Sequence, residues 1–119
     1  MDKPKTLHVE KPWGSFDQYI LNGLCTVKIL TCNPGQMLSL QRHRHRSELW
    51  VALDAGVIIE LDSRLITPDR GAEIWLPAGS VHRLSCASQT THPVRVLEVS
   101  FGTFDENDIE RLEDVYGRR

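Results

Sequence analysis

Cysteine is scarce in this 119-residue chain, and its three cysteines form no Cys-x-x-Cys pair. Cys25, Cys32 and Cys86 are odd in number, so they indicate neither a disulfide framework nor a zinc knuckle, and we expect reduced residues of a strand core. Long apolar runs are missing too, since none approaches the roughly 20 residues of a membrane span. No signal-peptide pattern follows Met1, so we expect a cytoplasmic protein without membrane contact.

An excess of positive charge is also lacking. Lys and Arg total 14 against 16 Asp and Glu, which gives a net charge of -2. General nucleic-acid binding needs a basic face over the whole domain, so this class is excluded. The positive charge is local instead, because Arg42, Arg44 and Arg46 fall within one short stretch. Any anion site is therefore expected to be a local pocket. From its length, we expect the chain to form one domain over residues 1–119.

Short strand patterns separated by turn residues fill most of the chain. The clearest turn signals are Asn22-Gly23 and Asp54-Ala55-Gly56, and each predicts a hairpin between the apolar runs beside it. Residues 37–45 are predicted as a strand with one polar side, made of Ser39, Gln41, His43 and His45. We expect this polar side to line the lumen of a small barrel.

Only the end of the chain has a helical pattern. Asp105 can cap a turn, and apolar residues then recur at helical spacing: Ile109, Leu112, and Val115 or Tyr116. Many short strands followed by such a segment predict an all-β barrel or jelly roll with a short C-terminal helix.

Histidines concentrate in two stretches that the pattern places on strands. Residues two apart share one face of a strand, so His43 and His45 would present two imidazoles together. Glu48 lies an odd number of residues beyond His45 and joins them only if the strand breaks near residues 46–47. With His82, the set suits Zn, Fe, Mn, Co or Ni. The alternative, that alternating His and Arg form only an exposed strand face, stays open on spacing alone.

The second stretch, Gly71-x5-Pro77-x-Gly79-x2-His82-x3-Cys86, resembles the second signature motif of the cupin superfamily. Further segments, in the same order, resemble the type II mannose-6-phosphate isomerase domain: Lys11-Pro12-Trp13-Gly14-Ser15, Ser39-Leu40-Gln41, His43-Arg44-His45-Arg46-Ser47-Glu48 and Asp108-Ile109-x-Arg111-x-Glu113-Asp114-x-Tyr116-Gly117-Arg118. In many bacteria that domain is one half of a bifunctional enzyme, beside a mannose-1-phosphate guanylyltransferase. The resemblance implies a cupin double-stranded β-helix. It also implies one divalent metal ion, zinc first, on His43, His45, Glu48 and His82.

The activity implied by the resemblance is a metal-dependent interconversion of mannose 6-phosphate and fructose 6-phosphate through an enediol. The proton shuttle needs a base that the metal does not fully occupy, and the candidates are Glu48, Glu98 and Lys28. The phosphate needs fixed cations, for which the guanidinium group is well shaped. The candidate substrate-binding residues are Lys11, Arg46, Arg83 and Gln41.

Two other functions stay open. Leu49 stands where the family usually has His, which favours a non-catalytic metal-containing cupin that binds a sugar or nucleotide sugar and partners a separate nucleotidyltransferase. Three His and one Glu also serve iron or nickel dioxygenases, but such a site has no need of the cations just named. An open sheet edge, common in such barrels, predicts a homodimer.

Overall fold

The computed structural model describes residues 1–118, which form eleven strands and no helix. The strands are β1 Leu7–Lys11, β2 Gly14–Gln18, β3 Thr26–Cys32, β4 Leu40–Arg42, β5 Arg46–Ala52, β6 Val57–Leu61, β7 Arg64–Ile66, β8 Glu73–Leu76, β9 His82–Cys86, β10 Val94–Gly102 and β11 Glu110–Glu113. The predicted all-β class is confirmed. Nothing in this part of the chain is a helix of the length and apolar character that crossing a membrane requires.

Two antiparallel sheets enclose the main core. The four-stranded sheet has the order β3-β10-β5-β8, and the five-stranded sheet has the order β11-β4-β9-β6-β7. From β3 onward the chain changes sheet at every connection except the one between β6 and β7. This alternation winds the two sheets into a double-stranded β-helix, while β1 and β2 form a separate two-stranded sheet.

Alternation along β5 and β10 separates two apolar layers. Trp50 and Val96 point between the sheets and belong to the main core, together with residues of β6 and β9. Leu49 and Val99 point to the opposite side of the four-stranded sheet. There they form a second buried cluster with Val51 and Phe101, packed against Tyr19, Ile20, Trp75 and Leu97.

The two hairpins predicted from turn residues are wrong. Asn22 does have a positive φ of 52°, but β2 pairs with β1 and β3 pairs with β10. Gly56 has a φ of 97° and turns the chain, yet β5 and β6 lie in different sheets. Turn chemistry sets the local bend, whereas burial of the apolar face decides which strand becomes the partner.

The strand predicted over residues 37–45 is interrupted. β4 ends early, and the chain bends at Arg44 and His45 before β5 begins. The Asp108 carboxylate accepts hydrogen bonds from both backbone N–H groups of this bend, each at 2.9 Å. The break that Glu48 needs in order to face the histidines is therefore present, slightly earlier in the chain than predicted.

The predicted C-terminal helix is wrong. Asp105 does cap a turn, because its carboxylate accepts a backbone N–H two residues on at 2.9 Å. The chain then extends as β11 and pairs with β4. An ion pair of 3.0 Å between Arg83 and Glu113 ties β11 to β9, while Leu112 stays 48% exposed. The hydrogen bonds that β11 gains at the open edge of β4 stabilise the extended form. A helix over the same residues would leave its apolar side uncovered, and helical spacing alone is a weak preference.

The cysteines are free among the described residues. Cys32 and Cys86 are buried in the main core, as expected for reduced strand residues. The expectation is wrong for Cys25, which is exposed because it precedes β3 and takes no part in the core.

Gly102 provides a test of how tightly β10 packs on the bend. It has a φ of 104°, and a Cβ atom there would lie 2.5 Å from the carbonyl oxygen of His45. We expect Gly102→Ala to lower the free energy of unfolding by about 3 kcal/mol, because backbone strain and displacement of the bend add together. The matched control is Gly71→Ala, whose φ is 89° with open space around it. Its expected loss is about 1–2 kcal/mol in the same urea titration, and equal losses would refute the contact.

Candidate metal centre

Three buried side chains converge between the two sheets. His43 follows β4, Glu48 lies on β5 and His82 opens β9. One ligand atom from each lies within 4.8 Å of the others, and all three residues are buried. Strands that alternate between the sheets thus bring together residues that are far apart in the sequence.

Hydrogen bonds fix which nitrogen each histidine turns inward. Nδ1 of His43 lies 2.7 Å from the carbonyl oxygen of Asp108, and Nδ1 of His82 lies 3.2 Å from that of Ser80. A carbonyl oxygen only accepts, so Nδ1 is the donor in both rings and Nε2 is the nitrogen that faces the ligand group. Burial lowers the pKa of His43 below its usual value, which keeps this ring neutral at pH 7. Imidazole rings oriented in this way are suited to bind a metal ion through Nε2.

Glu48 supplies the negative charge of the group and is 1% exposed. Burial alone would raise its pKa, but contacts with His82 and Glu98 prevail and hold the pKa of Glu48 at about 2. Its Oε2 accepts hydrogen bonds from the Ser100 hydroxyl at 3.3 Å and from Nε of Arg46 at 3.4 Å. This carboxylate is therefore ionised although it is removed from water.

Two buried atoms of the group have no hydrogen-bond partner among the described residues: Oε1 of Glu48 and Nε2 of His82. They lie only 3.3 Å apart. The contact lacks hydrogen-bond alignment, so the described residues satisfy neither atom. A ring nitrogen and a carboxylate oxygen that share one buried space form the donor set that a divalent cation takes.

Arg46 lies beside this group and is almost fully buried. Its Nη2 is 3.2 Å from Nε2 of His43, and its Nη1 donates to the carbonyl oxygen of Asp105 at 3.1 Å. The guanidinium also stacks 4.3 Å from the centre of the Phe104 ring. These contacts fix a permanent cation next to the ligand atoms.

Glu98 is a second buried carboxyl group, on β10 next to β5. Nε1 of Trp50 donates a hydrogen bond to its Oε2 at 3.2 Å. Burial, followed by the charge of Glu48, raises the pKa of Glu98 to about 8, so it carries a proton at neutral pH. The site thus places a protonated carboxyl beside an ionised one.

A cavity of about 170 Å³ adjoins the ligand group. Arg111 and His82 are both direct cross-strand partners of Gln41, so the three share the face of the five-stranded sheet that points inward. Charged and polar side chains of its lining include Lys28, Gln41, His43, Arg46, Glu98, Arg111 and Arg118. The cavity therefore combines a carboxyl with several cations.

Three residues predicted for the site lie elsewhere. The bend turns His45 out of the strand alternation, and its exposed ring lines a separate groove of about 930 Å³. Lys11 is exposed at the end of β1, in the separate two-stranded sheet. Arg83 directly follows His82 on β9, so it points to the opposite face and pairs with Glu60 at 3.1 Å.

Two cations of the cavity, Arg111 and Arg118, were not among the predicted site residues. In the helix predicted for this segment, the side chain of Arg111 was not expected to face the barrel interior. Residues 110–113 carry no strand signal of their own, and only the pairing of β11 with β4 sets Arg111 opposite Gln41. The signal that could have pointed to them is the family motif of this segment, which contains both arginines.

Leu49 faces away from the cavity. It is fully buried in the second apolar cluster, on the outer side of the four-stranded sheet, and its strand neighbour Glu48 faces inward. A histidine at position 49 would point to the same outer side. Leu49 therefore does not deprive the cavity of a proton carrier.

Comparison with known proteins decides the family. Residues 2–114 match the family model described as "Mannose-6-phosphate isomerase C-terminal". The chain belongs to this family. "Alginate biosynthesis protein AlgA" of Pseudomonas aeruginosa is 40% identical over 111 residues, which are 92% of this chain and 23% of that protein. "Mannose-1-phosphate guanylyltransferase" of Escherichia coli K12 is 32% identical over 111 residues, again 92% of this chain and 23% of that protein.

The chain thus spans about a quarter of the length of these relatives. Among solved structures, a dTDP sugar isomerase from Desulfovibrio desulfuricans G20 superposes with a TM-score of 0.68 at 11% identity, covering 94% of this chain and 83% of that one. A cupin protein from Bacteroides fragilis gives a TM-score of 0.59 at 16% identity, covering 87% and 80%. The predicted cupin fold is confirmed, and at these identities the likeness concerns the fold alone.

The geometry distinguishes His82 from His45 as a ligand. We expect His82→Ala to lose bound zinc, because it removes one of the three converging ligand atoms. His45→Ala is the matched control and should keep its zinc, because its ring lies outside the group. Elemental analysis after dialysis measures both, with circular dichroism to verify that the barrel is folded. Loss of zinc from His45→Ala with retention in His82→Ala would restore the ligand set inferred from sequence.

Proposed function

We propose that this chain is a metal-dependent isomerase that interconverts mannose 6-phosphate and fructose 6-phosphate. The observation that carries the proposal is a His–Glu–His ligand group next to a cavity whose lining joins His43 of that group to a buried carboxyl and several cations. Membership of the mannose-6-phosphate isomerase C-terminal family supports the substrate class.

The proposed metal ligands are His43, Glu48 and His82, with Gln41 in the place first given to His45. Gln41 lies two residues before His43 and pairs directly with His82 across the sheet, so its amide oxygen belongs to the same inner face. Amide oxygens are accepted ligands of divalent ions. Zinc is the first candidate, and Co, Mn, Fe and Ni suit similar donors. When bound, such an ion acts as a Lewis acid that stabilises negative charge developing on a sugar oxygen.

Glu98 is proposed to move the proton. An aldose becomes a ketose when the proton on carbon 2 is removed, one is returned to carbon 1, and the hydroxyl proton of carbon 2 passes to the oxygen of carbon 1. A single carboxyl can serve both carbon steps, and it starts from its ionised form, which the pKa of about 8 makes the minority at pH 7. Glu98 is buried, lines the cavity and lies outside the ligand group, with Trp50 holding its Oε2. The other two candidates are engaged, because Glu48 belongs to the ligand group and Lys28 donates to Glu106 at 2.8 Å.

The phosphate is proposed to bind to the cations of the cavity lining. These are Lys28, Arg46, Arg111 and Arg118. A guanidinium group matches two phosphate oxygens at once, which favours the arginines for the closest contacts. Lys11 and Arg83, first considered for this role, lie outside the cavity and are not retained.

A coupled assay of mannose 6-phosphate conversion tests the proposal. We expect turnover to vanish on chelation and to return with one of Zn, Co, Mn, Fe or Ni. Glu98→Gln should lower kcat by roughly 100-fold or more while the metal content is kept, because the proton carrier alone is removed. Glu10→Gln is the matched control, since this carboxyl is exposed on β1 and should leave kcat unchanged. Full activity in Glu98→Gln would exclude Glu98 as the carrier.

A second candidate function is a non-catalytic sugar-binding or nucleotide-sugar-binding cupin that partners a separate nucleotidyltransferase. The observation that favours it is the 32% identity of this chain to part of a relative named mannose-1-phosphate guanylyltransferase. Absence of turnover in metal-loaded protein, together with calorimetric binding of a sugar phosphate or nucleotide sugar, would select this function over the isomerase.

We also propose a homodimer through β3. This strand is an edge of the four-stranded sheet, and it exposes Val27 and Ile29 at 57% and 56%. An open strand edge with apolar side chains invites pairing with another strand. Sedimentation should therefore give a dimer mass, and Val27→Asp should shift it to a monomer. A monomer at every concentration of the unmodified chain would contradict the proposal.

A further inference from the structure

One residue of the C-terminal segment contacts the metal centre's bend at three points. The carbonyl oxygen of Asp108 accepts a hydrogen bond from Nδ1 of His43 at 2.7 Å. Its carboxylate oxygens accept one each from the backbone N–H groups of Arg44 and His45, both at 2.9 Å. The side chain thus holds the bend, while the main chain of the same residue holds the ring.

We propose that Asp108 is the positioning residue of the metal centre: it fixes both the bend after β4 and the ring nitrogen that His43 presents to Glu48. This inference rests on the ligand group of the proposed function, although its main consequence is measurable in the absence of metal.

The need for such a residue follows from where His43 lies. It belongs to no strand, so the regular hydrogen bonds of a sheet do not hold it. Its carbonyl oxygen accepts the N–H of Gly79 at 2.7 Å, and that of His45 accepts the N–H of Thr103 at 3.1 Å. These bonds use the carbonyl groups of the bend and do not contact the ring. The ring itself is held at Nδ1 by the Asp108 carbonyl and at Nε2 by Nη2 of Arg46, at 3.2 Å. Asp108 is the residue that holds both the ring and the backbone N–H groups of the bend.

The two histidines differ in this respect. His82 receives its orienting carbonyl from Ser80, only two residues earlier in the chain. His43 receives its own from a residue 65 positions away, on the segment that leads into β11. Without the carboxylate contacts, that segment has no direct bond to the N–H groups of the bend. The carbonyl of residue 108 would then no longer be held against the ring. Donation from Arg46 to Nε2 would alone favour the Nδ1–H form, so part of the population would carry the proton on Nε2.

The test is the ring tautomer of His43 in metal-free protein, read from long-range nitrogen–proton NMR spectra. We expect the Nδ1–H form alone in the unmodified chain and a mixture of both forms in Asp108→Ala. Asp108→Asn keeps one acceptor oxygen and should give an intermediate result. Amide exchange at residues 44 and 45 should accelerate in the same order.

Asp54→Ala is the matched control for a purely structural effect. Its carboxylate also holds a loop, by accepting the backbone N–H of Arg95 at 3.0 Å and two bonds from the guanidinium. Asp54 does not contact the ligand group, so we expect a loss of stability with an unchanged His43 tautomer. An unchanged tautomer in folded Asp108→Ala, or an equal change in Asp54→Ala, would overturn the proposal.

Zinc affinity gives an independent second readout, measured by competition with a chromogenic chelator. We expect Asp108→Ala to bind zinc roughly 10- to 100-fold more weakly, as for other residues that orient a ligand histidine, and Asp54→Ala to match the unmodified chain. Equal zinc affinity in Asp108→Ala and the unmodified chain would count against the positioning role. If the unmodified chain itself binds no zinc, the proposed metal function fails, and the tautomer measurement still decides the role of Asp108.

Discussion

The buried charge of Glu48 is the constraint on which the rest of the arrangement depends. A carboxylate removed from water is destabilised by several kcal/mol unless its neighbours compensate it. Here the Ser100 hydroxyl and the Arg46 guanidinium donate to Oε2. Oε1 lies 3.7 Å from Nε2 of His43 and 3.3 Å from Nε2 of His82, where a shared cation would complete the compensation. His43 and His82 belong to the five-stranded sheet and its connections, whereas Ser100 belongs to the other sheet. One charge therefore requires both sheets to be present and correctly aligned.

Much of the fold could be predicted from the sequence because strand periodicity and turn residues are local. The all-β class was predicted correctly, and the described residues form eleven short strands. Strand partners were not predictable in this way, since a turn such as Asn22-Gly23 determines where the chain reverses but not what lies beside it. The terminal segment shows the same limit, because its apolar spacing is helical while its pairing with β4 is determined by a distant strand.

The candidate site likewise has residues that local sequence identifies and residues that depend on a distant segment of the chain. His43, Glu48 and His82 were identified from their spacing and from the cupin motif, and they do converge. The choice between Gln41 and His45 depends on where the strand is interrupted. That interruption is stabilised by Asp108, which lies some 60 positions further along the chain. No pattern within residues 37–48 contains this information.

The opposite directions of two adjacent residues on β5 also limit how this chain can change in length. Deletion or insertion of a single residue within β5 would reverse the parity of the strand, directing Leu49 toward the ligands and the Glu48 carboxylate into an apolar layer. The length of β5 is therefore as tightly constrained as its composition. Side chains do not alternate between two faces in the exposed connection at residues 88–92. Insertions and deletions among relatives should therefore accumulate there, while β5 varies by substitution alone.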